Sequence, residues 1–168
     1  MKLTETLSLP LPAQDVAAMY ADPRYAQVRG EVLGAQSASS RVEGDVAGAF
    51  TVSTELSMPT DRVPDIARPF VGSSITVREV QSWSAPQADG ARTGTTDLVV
   101  VGTPASMTAA VTMTPAQTGT TEIVIDGDLV AKIPVLGKRL EKAALPYVSR
   151  VLKAEQKAAR TYREGAGS

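Results

Sequence analysis

The sequence predicts an α+β fold: a seven-stranded curved antiparallel sheet wrapped around one long C-terminal helix, with two short helices between strands 1 and 2. Three observations predict it. Val135 to Tyr162 is the one segment long enough for a long helix, and its apolar residues recur at three- and four-residue steps. Those residues are Leu136, Leu140, Ala144, Tyr147, Val148, Val151, Leu152, Ala158, Ala159 and Tyr162. Most of the chain before it alternates with period two, in runs joined by short turns, which is the pattern of an antiparallel meander. Between the first and second runs the spacing becomes helical over Ala13 to Arg29. A bent sheet covered by a single helix encloses more space than that helix fills, so a cavity is expected.

Each element has its own local signal. Lys2 to Leu9 alternates, with Leu3, Leu7 and Leu9 on one face, and Pro10 and Pro12 stop it. Ala13 to Ala21 reads as a helix with Val16, Met19 and Tyr20 on its apolar face. Asp22-Pro23 breaks it, because a residue before proline avoids the helical region. Asp22 suits an N-cap and Pro23 a first helical position, so a second helix is expected over Pro23 to Arg29, ended by Gly30. Strands are then expected over Val32–Val42, Val46–Met58, Ser74–Ser84, Arg92–Gly102, Ala105–Thr114 and Thr120–Lys132. The connection from Pro59 to Gly72 holds three prolines, and Val63, Ile66 and Phe70 could pack a single helical turn within it. The chain reads as one domain over residues 1–164, with 165–168 a disordered tail.

Composition excludes much of the usual chemistry. With no Cys and no His, there is no disulfide framework, no Ser-His-Asp or Cys-His catalysis, and no histidine-based zinc or iron site. No phosphate-cradling glycine motif is present, and no metal or other cofactor is expected. No run approaches the roughly 20 apolar residues that cross a bilayer, and the first residues carry no apolar signal core, so the sequence reads as soluble and cytoplasmic. The net charge of −1 argues against nucleic acid as a partner. The charge is unevenly placed: the last helix is net +5 and the remainder −6. These cations read as a solvated helix face, open to transient membrane-surface contact. A monomer or weak dimer is expected.

Inward-facing positions are the candidate binding residues. Alternation puts Val52, Leu56, Val77, Met107, Val111, Met113, Ile123, Ile125 and Leu129 inside, and the helix stripe adds Leu140, Ala144, Tyr147 and Val151. Trp83 shares its face with Val77, Glu79 and Gln81. Glu79 is then an acid among apolar groups, where it needs a partner or a raised pKa, and it is the available acid/base or head-group anchor. Asp126 and Asp128 share a face but read as outward and solvated, a poor cation site. Pro146 interrupts the hydrogen-bond ladder of the long helix near Lys142.

Three stretches carry a resemblance to a known family: Leu7-Ser8-Leu9-Pro10-Leu11-Pro12-Ala13-Gln14-Asp15-Val16, Ala21-Asp22-Pro23-Arg24-Tyr25, and Ile133-Pro134-Val135-Leu136-Gly137-Lys138-Arg139-Leu140-Glu141. The chain resembles the START-like, Bet v 1-like helix-grip superfamily, also called SRPBCC, and within it the actinobacterial domain family DUF2505. The likeness runs from Met1 to about Arg163 and rests on patterning, not on a catalytic signature. It implies the helix-grip fold and a cavity for a small hydrophobic ligand such as a lipid, fatty acid, isoprenoid or polyketide, and it transfers no catalytic residue. It also places the Tyr20 to Tyr25 region near the cavity entrance, where Arg24 could meet a carboxylate. One alternative is a cyclase- or aromatase-like enzyme using a cavity Glu or Tyr. The other is a non-catalytic interaction or membrane-surface module working through the basic helix face.

Overall fold

The computed structural model describes residues 1–61 and 63–166. Its elements follow in chain order: β1 (Lys2–Leu9), α1 (Ala13–Tyr20), α2 (Pro23–Leu33), β2 (Ser37–Gly44), β3 (Phe50–Pro59), a 3₁₀ turn (Asp65–Phe70), β4 (Ser74–Trp83), β5 (Arg92–Val100), β6 (Ala105–Pro115), β7 (Thr121–Ala131) and α3 (Gly137–Ala166). One seven-stranded antiparallel sheet has the order β1-β7-β6-β5-β4-β3-β2. The strands β2 to β7 form a meander, and β1 returns to pair with β7, from Lys2 opposite Asp128 to Leu9 opposite Thr121. This is the helix-grip architecture. Among the described residues, no helix is long and apolar enough to cross a membrane.

The second helix differs from its sequence expectation. It does not end at Gly30 but continues to Leu33, taking the first residues assigned to strand 2, and stops at Gly34 in the left-handed conformation (φ 73°). Gly30 is a contact residue instead of a terminator. A Cβ there would lie 2.8 Å from the Ala38 Cβ, so the missing side chain lets α2 rest directly on β2. The N-terminal reading holds: Asp22 accepts from the Arg24 backbone N–H at 2.9 Å, and Pro23 opens the helix. Val46, assigned to strand 3, lies in the β2–β3 connection, where Asp45 accepts from the Ala47 N–H at 2.9 Å. The long helix starts later and ends later than expected. Its start is fixed by Gly137, where a Cβ would sit 2.4 Å from the Ala131 carbonyl oxygen. At its end, Gly165 and Ala166 are helical, while Gly167 and Ser168 of the expected tail lie outside the described residues.

The core has two unlike halves. Near the turns β2–β3, β4–β5 and β6–β7, side chains from β1 (Leu7, Leu9), α1 (Val16, Met19), β6 (Met113), β7 (Ile123) and the C-terminal half of α3 (Leu152, Ala158, Ala159) are almost completely buried. Tyr20 stacks on Trp83 in this half, with ring centroids 5.9 Å apart. Toward the opposite end of the strands the same α3 stripe carries Ala144, Val148 and Val151, and these stay only partly buried. The helix there spans a hollow.

Candidate functional site

That hollow is a cavity of about 140 Å³. Its floor is the inward face of β3 to β7, including Leu56, Met58, Ile75, Val77, Leu98, Val100 and Leu129. Its roof is α3 from Leu140 to Leu152, and its side wall is the Pro-rich connection with Val63, Pro64, Ala67, Phe70 and Val71. Almost every wall group is apolar, which is the usual character of a small-molecule pocket.

A buried polar belt closes its inner end. Register explains the belt, since Thr54 on β3 lies opposite Glu79 on β4, and Gln81 lies opposite Thr96 on β5. All four face inward and are buried. From α2, Arg29 reaches Glu79 with both terminal nitrogens, Nη1 to Oε1 at 2.7 Å and Nη2 to Oε2 at 3.0 Å. Arg29 is 3% exposed and Glu79 4%, so this is a fully desolvated bidentate pair. From α3, Glu155 brings its Oε1 to 3.8 Å from Arg29 Nη2, and its Oε2 accepts from the Tyr20 hydroxyl at 3.2 Å. On β4, Gln81 donates to Glu79 and accepts from the Trp83 indole N–H.

Two carboxylates thus share one guanidinium. Burial pushes the Glu155 carboxyl up to about 7, and the nearby Glu79 charge pushes the same way, while Arg29 and the Tyr20 hydroxyl pull it down. Burial also drives the Tyr20 and Tyr25 hydroxyls well above their usual value, and Glu155 adds to both. Arg29, Thr54 and Glu79 line the large cavity and also a second void of about 10 Å³, which Tyr25 and Ser40 border. Among the described residues, Arg29 Nε, Tyr25 Oη and Ser40 Oγ are buried without a hydrogen-bond partner.

The sequence candidates divide between the two halves. Leu56, Val77, Glu79, Leu140, Ala144, Tyr147 and Val151 line the cavity, as does Leu129. Val52 borders only the small void. Trp83, Met107, Val111, Met113, Ile123 and Ile125 are buried in packed core, away from the cavity wall. Arg24 is exposed and paired with Asp22 at 3.0 Å, outside the cavity. The basic residues of α3 all face solvent, so that charge belongs to the outer face.

Sequence reasoning passed over Arg29 and Glu155, although both carried a signal. Arg29 stands four residues after Tyr25, and Glu155 between Leu152 and Ala159, each on the buried stripe of its helix. A charge on a buried stripe needs a countercharge, and the unassigned partner of Glu79 was the place to look.

Residues 4–162 match the family described as "Protein of unknown function (DUF2505)". The chain belongs to this family. No curated protein matches the sequence. Among solved structures, it is similar to the Zhui aromatase/cyclase from Streptomyces sp. R1128, with 15% identity and a TM-score of 0.62, over 98% of this chain and 93% of that one. It is similar to a START superfamily protein from Mycobacterium smegmatis, with 14% identity and a TM-score of 0.57, over 96% and 98%. Norcoclaurine synthase from Thalictrum flavum is also similar, with 11% identity and a TM-score of 0.54, over 96% and 85%. At these identities the likeness is one of fold. This DUF2505 chain has the START-like architecture, with an apolar cavity under the N-terminal half of α3.

Proposed function

We propose that this DUF2505 protein reversibly and non-covalently binds a small hydrophobic molecule, of lipid, fatty-acid, isoprenoid or polyketide-like character, in the space under the N-terminal half of α3. The observation that carries this reading is the cavity of about 140 Å³ itself, lined by apolar side chains and left open in a core whose other half is densely packed. Unfilled apolar space costs stability, because the lining atoms lose contacts that a ligand would restore. The residues assigned to ligand contact are Leu56, Val77, Leu140, Ala144, Tyr147 and Val151.

A catalytic reading finds less support. Glu79 does line the cavity beside a second polar group, but both of its oxygens are occupied by Arg29, and Gln81 donates to one of them. It is a partner in a buried ion pair, held by three hydrogen bonds, and is not a free acid/base aimed at a substrate. Native mass spectrometry of the purified protein, before and after denaturation, tests the binding reading. A released apolar molecule, or a mass shift on adding one, is expected for the wild type and not for Ala144→Phe, which fills the roof of the cavity. Binding that survives unchanged in Ala144→Phe would sink the reading.

A further inference from the structure

The polar belt constrains what the ligand carries at its inner end. Arg29 is the one cation among the described cavity-lining residues, and it is already committed. Both of its terminal nitrogens are held by Glu79, and Glu155 approaches one of them at 3.8 Å. A ligand carboxylate entering this end would be a further anion beside a buried guanidinium that Glu79 already neutralises. An ammonium would need a free carboxylate, yet Glu79 is occupied and Glu155 does not reach the cavity wall, while Glu141, which does line the cavity, accepts from the Ala131 N–H and lies 3.7 Å from the Met1 amino group. The groups that remain suit a neutral oxygen. Thr54 presents a hydroxyl-bearing side chain to the cavity beside Arg29. Burying a neutral hydrogen-bonded oxygen costs far less than burying an uncompensated charge.

We propose that the ligand of this cavity is an uncharged apolar molecule with a hydroxyl or carbonyl oxygen at its inner end, held beside Thr54 and Arg29, and that carboxylates and amines of the same skeleton are rejected. This rests on the binding reading above and narrows its ligand class: a free fatty acid does not qualify.

The test is a matched ten-carbon series, decane, decan-1-ol, decan-2-one, decanoate and decylamine, titrated calorimetrically into the full chain. At about pH 6.5 the acid and the amine are both ionised in water. The alcohol and ketone should bind more tightly than decane, and at least about tenfold more tightly than decanoate and decylamine. Thr54→Val, which keeps the shape of the side chain, should weaken decanol and leave decane unchanged; a thermal melt checks that this variant is folded. Decanoate or decylamine matching decanol would overturn the head-group inference. So would decanol gaining nothing over decane, or decanol binding being indifferent to Thr54→Val. If decane and every other member fail to bind, the binding reading itself falls, and this inference with it.

Discussion

Replacing Glu155 by Gln should remove a large part of the pH dependence of stability between about pH 4.5 and pH 7, and the sign of the effect follows from the geometry. Glu155 is 2% exposed and shares Arg29 with Glu79, so burial raises its carboxyl from 4.5 to about 7 in the folded protein. In the unfolded chain the same group titrates near its ordinary value. Between the two values the folded state holds a proton that the unfolded state has lost. Stability from this group is therefore complete below pH 4.5, declines as pH rises through the window, and is gone above about 7. The rise from 4.5 to about 7 corresponds to roughly 3 kcal/mol, as an upper figure for a group interacting this strongly with its neighbours. Gln keeps an oxygen for the Tyr20 hydroxyl and carries no charge, so it stands in for the protonated acid. Urea denaturation of both proteins at several pH values across the window gives the comparison. The wild type should lose up to roughly 3 kcal/mol relative to Glu155→Gln between the two ends, with the variant the more stable partner at the alkaline end. Parallel stability curves would show that Glu155 is ionised throughout, and would refute the assignment of the proton to this cluster.

Three further outcomes are expected. Arg29→Met should cost about 3–5 kcal/mol by stranding a buried carboxylate, whereas Arg29→Met with Glu79→Leu should recover most of that, read by denaturation at about pH 6, where Glu155 keeps its proton. Gly30→Ala should destabilise by about 1–3 kcal/mol, because its Cβ meets Ala38, and Ala38→Gly in the same chain should restore much of the loss. Val135, 96% exposed and held at φ 69°, is a β-branched residue in the left-handed region; Val135→Gly should stabilise by about 1 kcal/mol, seen as a raised Tm, since no buried surface is lost.

The sheet was legible because period-two alternation reports directly on which face of a strand is inward. Leu3, Leu7 and Leu9 on β1, and Val77, Glu79, Gln81 and Trp83 on β4, are oriented as the pattern requires. Alternation carries no information on position along the strand, however. Val77 and Trp83 share a face, yet the first lines the cavity and the second is packed against Tyr20. Which end is hollow depends on where α3 touches down, and that is set by contacts between elements distant in sequence. The same limitation hid the polar belt. Arg29, Glu79 and Glu155 look unremarkable one at a time, and their meaning arises only when α2, β4 and α3 meet. Gly30 misled for a related reason. Glycine reads locally as a helix terminator, but here its use is the close approach of α2 to β2, a tertiary fact.

The belt also explains how a hollow persists beside a packed core. Apolar space tends to collapse, because every lining atom gains contacts by moving inward. Nothing in the α3 stripe alone prevents this, since the three- and four-residue steps of Ala144, Val148 and Val151 continue through Leu152, Glu155 and Ala159. What differs is the support under the helix. Glu155 of α3 accepts from Tyr20 on α1 and faces Arg29 of α2 at 3.8 Å, and Arg29 is held in turn by Glu79 on β4, so these polar contacts fix the height of the helix above the sheet at one point. On one side of that point the chain fills the gap with Leu7, Met19, Met113 and Ala158; on the other the small Ala105, Ala131 and Ala144 leave it open. Replacing an ion pair by apolar groups is often neutral for stability, so a contribution of Arg29 and Glu79 to holding the cavity open separates from their contribution to holding the fold together. A stable Arg29→Met, Glu79→Leu protein that no longer distinguishes decanol from decane would have kept the fold and lost the site.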